Sequence, residues 1–271
     1  MKRLIPIFMP RRTGATNYFV QDIDCAYLDE FIARKIEEDG IQYTYRDLAV
    51  ATFVRIFTKF PKFNRFFVKD RLYQRNYIDF CMNIHKDLRK RDEEVIVKVR
   101  FTGAETLREI KEKIDKGMMD AVTQDWEYTK NVSRVPQFGL RWSVRFLRIF
   151  DRLGWLSDKF LFKNSPFHSS IYMADLKSIG INYVLHHLYE FGNCGFFATL
   201  GKEHKQAIVD EKTDEIRVAK IMQVGVSMDE RFVDGLYYRN MVKEQKRIIE
   251  NLSVLEVPLQ QKDILVAKDG F

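Results

Sequence analysis

Apolar residues recur at helical spacing in some stretches of the 271-residue chain and alternate with polar residues in others. The helical stretches predict helices over about 25–38, 44–60, 102–120, 138–162 and 235–252. The alternating stretches predict strands over about 16–24, 71–84, 94–101, 169–175, 194–200, 206–210 and 216–227, with a hairpin between the second and the third. No Gly/Ser/Pro-rich linker or internal repeat separates these elements. We therefore predict one mixed α/β (α+β) domain over residues 1–271.

The stretch 138–162 combines aromatic and basic residues with apolar residues at helical spacing. Such a basic amphipathic helix can lie on a membrane surface. It can also pack against its own chain or a neighbouring subunit, and we favour this second interpretation. We accordingly do not expect a membrane among the partners of the protein.

Composition limits the classes of function. Apolar residues make up 46% and charged residues 31%, which is typical of a folded globular protein. The formal charge of +7 would suit nucleic acid, anionic lipid or an anionic cofactor such as coenzyme A. Basic and acidic residues are interleaved, however, as in 86–94, so no nucleic-acid partner is expected.

The cysteines and the N-terminus indicate the compartment. Cys25, Cys81 and Cys194 are odd in number and have no Cys-x-x-Cys spacing, which favours free thiols in a reducing environment. The apolar stretch in 1–10 is short and interrupted by proline, unlike a signal peptide, and no apolar run reaches the roughly 18 residues of a membrane span. We predict a cytoplasmic protein, and the histidine spacings predict no metal site.

Three separated stretches resemble a known family. Near the N-terminus, 18–24 reads YFVQDID, and 60–64 reads FPKFN beside the family's "-HPxxN-" turn. Residues 170–181 read SIYMADLKSIGI beside "-FTISNLGSLGI-", and 222–235 read MQVGVSMDERFVDG beside "-LSLSxDHRxxDG-". The chain thus resembles, over about 10–252, the acyltransferase catalytic domain of 2-oxo-acid dehydrogenase complexes, which shares its fold with chloramphenicol acetyltransferase. The resemblance is weakest over 126–167, and it implies a mixed sheet flanked by helices.

The resemblance also implies a reaction and an assembly. Members of this family move an acyl group between coenzyme A and an acceptor, and this chain is accordingly expected to use a thiol, hydroxyl or amine acceptor. They form trimers with the sites in channels between subunits, so a homotrimer is implied. Because no lipoyl attachment segment is recognised, we expect a free-standing protein outside the large complexes. The alternative is a catalytically inactive trimeric homologue that acts as a scaffold or binding module.

Acyl transfer through a tetrahedral intermediate needs a general base and a hydrogen-bond donor for the oxyanion. By position, the family's catalytic histidine corresponds to Glu230, its structural aspartate to Asp234, and its strand hydroxyl to Ser170. An ordinary glutamate near pKa 4.3 lies about four units below a thiol near 8.5, whereas an imidazole lies about two units below. Two units correspond to about a hundredfold in rate. The glutamate is therefore either a base adjusted by burial or a carboxylate paired with an arginine at an inactive site.

Other residues are candidates for supporting roles. His186 and His187 lie in a loop that the resemblance places near the substrate channel, and His168 precedes Ser170 in the middle segment; each could supply a base or serve only in packing. Arg231 is expected to favour the ionised form of its carboxylate neighbour. Asp234 and Gly235 are interpreted as structural: the aspartate pairs with Arg11 or Arg12, and the glycine permits a tight turn before the last helix.

Overall fold

The computed structural model describes residues 4–68, 71–85, 94–123, 136–210, 213–233 and 235–260. The α-helices are α1 Ile5–Phe8, α2 Cys25–Asp39, α3 Tyr45–Lys59, α4 Leu107–Thr123, α5 Gln137–Leu153, α6 Asp158–Asn164 and α7 Gly235–Glu250. The strands are β1 Thr16–Asp24, β2 Arg65–Val68, β3 Arg71–Gln74, β4 Ile78–His85, β5 Glu94–Phe101, β6 Ile171–Asp175, β7 Phe196–Leu200, β8 His204–Val209 and β9 Ile216–Asp229.

Seven of these strands form one mixed sheet in the order β1-β9-β7-β6-β4-β5, with β8 also paired to β9. The β4–β6 and β6–β7 pairs are parallel, and the other pairs are antiparallel. The mixed sheet flanked by helices confirms the fold class predicted from the sequence. One predicted strand is divided: the segment 71–84 forms β3, which pairs with β2 in a separate hairpin, and β4, which pairs with β5.

The predicted boundaries of two helices are confirmed by their caps. Gly40 follows α2 with a φ of 69°, a left-handed conformation that glycine adopts without a Cβ penalty. Thr44 accepts a hydrogen bond from the backbone N–H of Asp47, and the Asp47 carboxylate accepts one from the N–H of Thr44. This reciprocal capping box begins α3.

The main core lies between one face of the sheet and the helices. Because side chains alternate along a strand, Phe196, Ala198 and Leu200 of β7 point into this core. Phe196 makes edge-to-face contacts with Phe53 and Phe57 of α3. Many aromatic side chains of the protein are therefore buried in the core.

The opposite face of the sheet carries Tyr172 and Phe197, together with Leu188 and Cys194 from the segment that joins β6 to β7. This segment, residues 181–195, is hereafter the crossover loop. It lies directly on the sheet: the Thr199 hydroxyl donates to the Val184 carbonyl at 2.7 Å. A Cβ on Gly225 of β9 would come 2.7 Å from the same carbonyl oxygen. The absence of a side chain at this position permits the close approach.

The three cysteines are buried free thiols. Burial raises the pKa of Cys25 to about 11, and it also raises the pKa of Cys81. Among the helices of the described ranges, none is long and apolar enough to cross a membrane.

Candidate functional site

Glu230 begins a short 3₁₀ turn, Glu230–Phe232, at the end of β9. The turn starts here because the Asp229 carboxylate caps it by accepting the backbone N–H of Arg231 at 3.2 Å. The side chain of Glu230 is half-buried. In the part of the chain that the structure describes, its carboxylate has no hydrogen-bond or ion-pair partner.

Asp229 is the centre of a buried ion cluster that supports this turn. Its carboxylate accepts from Arg231 Nε at 2.8 Å and from Arg231 Nη2 at 2.6 Å, and Arg12 Nε lies 3.8 Å away. All three side chains are almost fully buried. Arg12 also donates to the carbonyls of Tyr189 and Gly192, which ties the crossover loop to the cluster. Burial lowers the pKa of Arg12, and the charge of Asp229 opposes this shift.

The cluster differs from the prediction in its partners. Arg12 pairs with Asp229, and Arg231 also turns to Asp229 rather than to Glu230. Asp234 lies outside the described residues, so its pairing stays a prediction. Asp229 stands in the motif immediately before Glu230 but is not among the residues predicted from the sequence. The sequence did contain a signal for Asp229. It is a carboxylate at the end of a strand that is buried on both faces, which indicates a buried charge that needs a partner.

The role predicted for Gly235, a tight turn before the last helix, stays a prediction. Gly235 is the first residue of α7. A Cβ at this position would have no heavy atom within 4 Å among the described residues.

Ser170 lies at the start of β6, at the end of the sheet that also holds the Glu230 turn. The register gives this placement, since Tyr172 pairs with Phe197 and Phe197 pairs with Ser227. Its hydroxyl accepts from the N–H of Asp79 at 3.0 Å and is buried. The hydroxyl is thus engaged by the backbone of β4.

Residues 170–181 can be aligned with the family's "-FTISNLGSLGI-" string in a second way. When Ser178 and Gly180 are placed on their identical residues, Ala174 rather than Ser170 lies opposite the first serine of the string. Another hydroxyl near the turn is Ser227 of β9, which is 1% exposed and has no hydrogen-bond partner in the described structure. Ser227 is therefore a candidate oxyanion donor that motif comparison did not select.

His186 lies on the same face of the sheet as Ser227. Its ring stacks on Phe197 with the centroids 4.0 Å apart and the planes at 8°, and Phe197 is the register partner of Ser227. Nδ1 of His186 is 2.8 Å from the carbonyl oxygen of His187. A neutral imidazole that donates from Nδ1 keeps Nε2 as a proton acceptor. His186 consequently has the chemistry of a base, whereas His187 is more exposed and stacks against it.

His168 has a different environment. It is buried, with Nδ1 at 2.6 Å from Ser165 Oγ and Nε2 at 3.2 Å from Asp151 Oδ2 of α5. Lys98 donates to the carbonyls of His168 and Ser165 at 2.7 and 2.9 Å, and burial lowers its pKa to about 8. These contacts hold α5 and the residues after α6 against the sheet. No group of three potential metal-ligating side chains occurs within the described ranges.

We expect the stacked His186 to make stability depend on pH. Burial lowers the pKa of His186, so its ring takes up a proton at lower pH in the folded chain than in the unfolded chain, where the pKa is near 6.5. Below about pH 6.5 the unfolded state binds more protons, and the free energy of unfolding falls as the pH falls. Urea denaturation between about pH 7 and about pH 5 should show a smaller fall for His186→Phe than for the natural protein. Tyr183→Phe, the control, changes the crossover loop without removing an imidazole and should keep the full fall; equal slopes in all three proteins would contradict the assignment.

The sheet order, the loop across its second face and the turn after β9 together define an acyltransferase-type fold. Residues 196–257 match the family model described as 2-oxoacid dehydrogenases acyltransferase (catalytic domain). The matched segment contains β7, β9 and the Glu230 turn. No relative among curated protein sequences matches the chain.

Solved structures support the same fold over almost the whole chain. The cubic core of a pyruvate dehydrogenase multienzyme complex has a TM-score of 0.59 at 12% identity, covering 94% of this chain and 91% of that one. A dihydrolipoamide acetyltransferase of Azotobacter vinelandii, studied for the catalytic roles of a serine, a histidine and an asparagine, has 0.57 at 13%, covering 94% and 91%. A chloramphenicol acetyltransferase has 0.50 at 11%, covering 92% and 94%. The resemblance identified from the sequence is confirmed.

Proposed function

We propose that this protein transfers an acyl group between acyl-CoA and a small thiol, hydroxyl or amine acceptor, with Glu230 as the general base. One observation carries the proposal: the carboxylate of Glu230, which motif comparison aligns with the family's histidine, has no partner among the described residues. A carboxylate with a purely structural role would be expected to pair with a neighbouring arginine. Arg231, the adjacent cation, is instead engaged by Asp229.

The proposed reaction has two steps at this carboxylate. Glu230 accepts the proton of the acceptor while the acceptor atom attacks the thioester carbonyl carbon. The resulting oxyanion accepts a hydrogen bond, for which the unpaired hydroxyl of Ser227 is the better candidate and Ser170 the other. Collapse of the intermediate breaks the carbon–sulfur bond, and the carboxylic acid of Glu230 returns the proton to the coenzyme A thiolate.

We further propose that the protein is a cytoplasmic homotrimer with its sites between subunits. The family resemblance supports this assembly. Within such an assembly, the second face of the sheet and the crossover loop would supply the opposite wall of a channel. The buried cysteine thiols are compatible with a reducing compartment.

The proposal is tested with the full chain and acetyl-CoA. We expect calorimetry to detect coenzyme A binding. We also expect chromatography to show that free coenzyme A and acylated acceptor accumulate slowly when a small thiol, amine or hydroxyl acceptor is present. A series of acyl chain lengths should be assayed for both transfer and thioester hydrolysis. If coenzyme A does not bind and no thioester is consumed, the catalytic proposal fails and the inactive trimeric scaffold remains.

A further inference from the structure

Helix α5 presents a large apolar surface to solvent. With about 100° of rotation per residue, six apolar side chains fall within an arc of about 120° on its outer side. Their exposure ranges from 36% for Phe150 to 75% for Phe138. The six residues, hereafter the apolar face, are Phe138, Trp142, Phe146, Ile149, Phe150 and Leu153. Trp155, which is 69% exposed, stacks on Phe150 and extends the apolar face beyond the helix end.

The opposite side of α5 fixes this orientation. Leu140, Val144, Leu147 and Asp151 are half-buried and share an arc of about 60°. Asp151 is the residue that meets the buried His168. Because the helix already uses this side to contact the rest of the chain, the apolar face is directed away from it. The prediction named two contacts for this stretch: its inner side makes the contact with its own chain, and the contact with a neighbouring subunit stays a prediction.

A stripe of arginines lies beside the apolar face. Arg141, Arg145, Arg148 and Arg152 follow each other at spacings of three or four residues and are all exposed. None is paired with a carboxylate of the described residues; Arg145 lies over the ring of Trp142 and Arg148 over that of Phe191. Asp151 is the only acidic residue in Gln137–Leu153, and it is on the inner side.

We propose that α5 lies on the surface of an anionic lipid bilayer, with the apolar face in the headgroup–acyl boundary and the arginines on lipid phosphates. Charge complementarity selects this occupant. An anionic surface satisfies all four guanidinium groups together, and aromatic side chains are suited to the bilayer interface. A second copy of the chain that met this face with its own α5 would bring no outward-facing acidic side chain to the arginine stripe. The inference is independent of acyl transfer.

The experiment is co-sedimentation of the full-length protein with vesicles at low salt. We expect binding to phosphatidylcholine vesicles that contain about one third phosphatidylglycerol, and no binding to phosphatidylcholine alone. The tryptophan emission should shift to shorter wavelength when the protein binds. The double variant Trp142→Ser/Phe146→Ser and the double variant Arg145→Gln/Arg152→Gln should each lower the partition coefficient by about tenfold or more.

The control is Ile216→Ser/Val218→Ser, which removes two exposed apolar side chains from β9, away from α5. This variant should bind vesicles like the natural protein. The proposal is overturned if the natural protein does not bind anionic vesicles, or if the Trp142/Phe146 variant binds them as well as the natural protein does. It is also overturned if that variant reduces the oligomer mass in light scattering, since α5 would then be a subunit contact.

Discussion

Glu230→Gln is expected to lower kcat for acyl transfer by about 10²- to 10³-fold while leaving coenzyme A affinity unchanged. The amide cannot accept the proton of the acceptor, and general-base catalysis typically contributes about 10²- to 10⁴-fold. The two side chains have the same shape, so the 3₁₀ turn should persist. The measurement is steady-state transfer from acetyl-CoA together with coenzyme A titration calorimetry.

The controls separate a chemical role from a general loss. Glu215→Gln removes an exposed carboxylate elsewhere in the fold and should leave kcat unchanged. Glu230→His should recover at least tenfold over the Gln variant, with the acid limb of its pH–rate profile near pH 6.5. If Glu230→Gln is fully active and His186→Phe is inactive, the base is the crossover-loop histidine. If only Glu230→His is active, the natural protein is an enzyme homologue that has lost its catalytic activity.

Asp229→Asn is expected to lower the free energy of unfolding by about 3–5 kcal/mol. The change leaves Arg12 and Arg231 as buried cations without their shared counter-charge, which is the most costly way to break a buried ion pair. The loss should be measured by chemical denaturation at constant pH. Since the cluster also supports the Glu230 turn, the transfer rate should fall in the same variant.

The matched control for this prediction is Asp158→Asn. Asp158 also pairs with an arginine, Arg100, but its side chain is 71% exposed. Exposed ion pairs contribute about 0–1 kcal/mol, so this variant should remain close to the natural protein. Equal losses in the two variants would show that burial of the Asp229 cluster does not control its contribution.

The two experiments also distinguish the roles of adjacent residues. Glu230 is predicted to act in the reaction and to contribute little to stability, because its carboxylate has no partner in the described structure. Asp229 is predicted to stabilise the fold, because its carboxylate joins β9, the N-terminal segment and, through Arg12, the crossover loop. Motif comparison alone does not distinguish these two roles, because both residues belong to the same motif.

Local elements were predictable because their signals are local. Thr44 and Asp47 form their capping box within one helical turn, and Gly40 ends α2 through its own backbone freedom. The alternation in 94–101 likewise identifies β5 without reference to any other strand. The motif at 222–235 placed Glu230 at the candidate site because the family's spacing is kept at that point.

The partners of charged and polar groups depended on the tertiary structure. Arg12 and the carbonyl of Tyr189 are 177 positions apart, and no periodicity brings such residues together. Ser170 was expected to serve the reaction, yet its hydroxyl is bound by the backbone of a strand whose neighbour in the sheet cannot be deduced from spacing. The orientation of α5 could likewise not be predicted from the spacing of its residues.

The sequence by itself determined most of the helices and strands, the acyltransferase-type motif and the replacement of its histidine by Glu230. Only the tertiary structure decided that Arg231 turns to Asp229, that Glu230 has no partner among the described residues, and that the aromatic side of α5 faces solvent. The physical reason is that periodicity records which residues share a face of an element. What that face meets is decided by packing between segments that are distant in the chain.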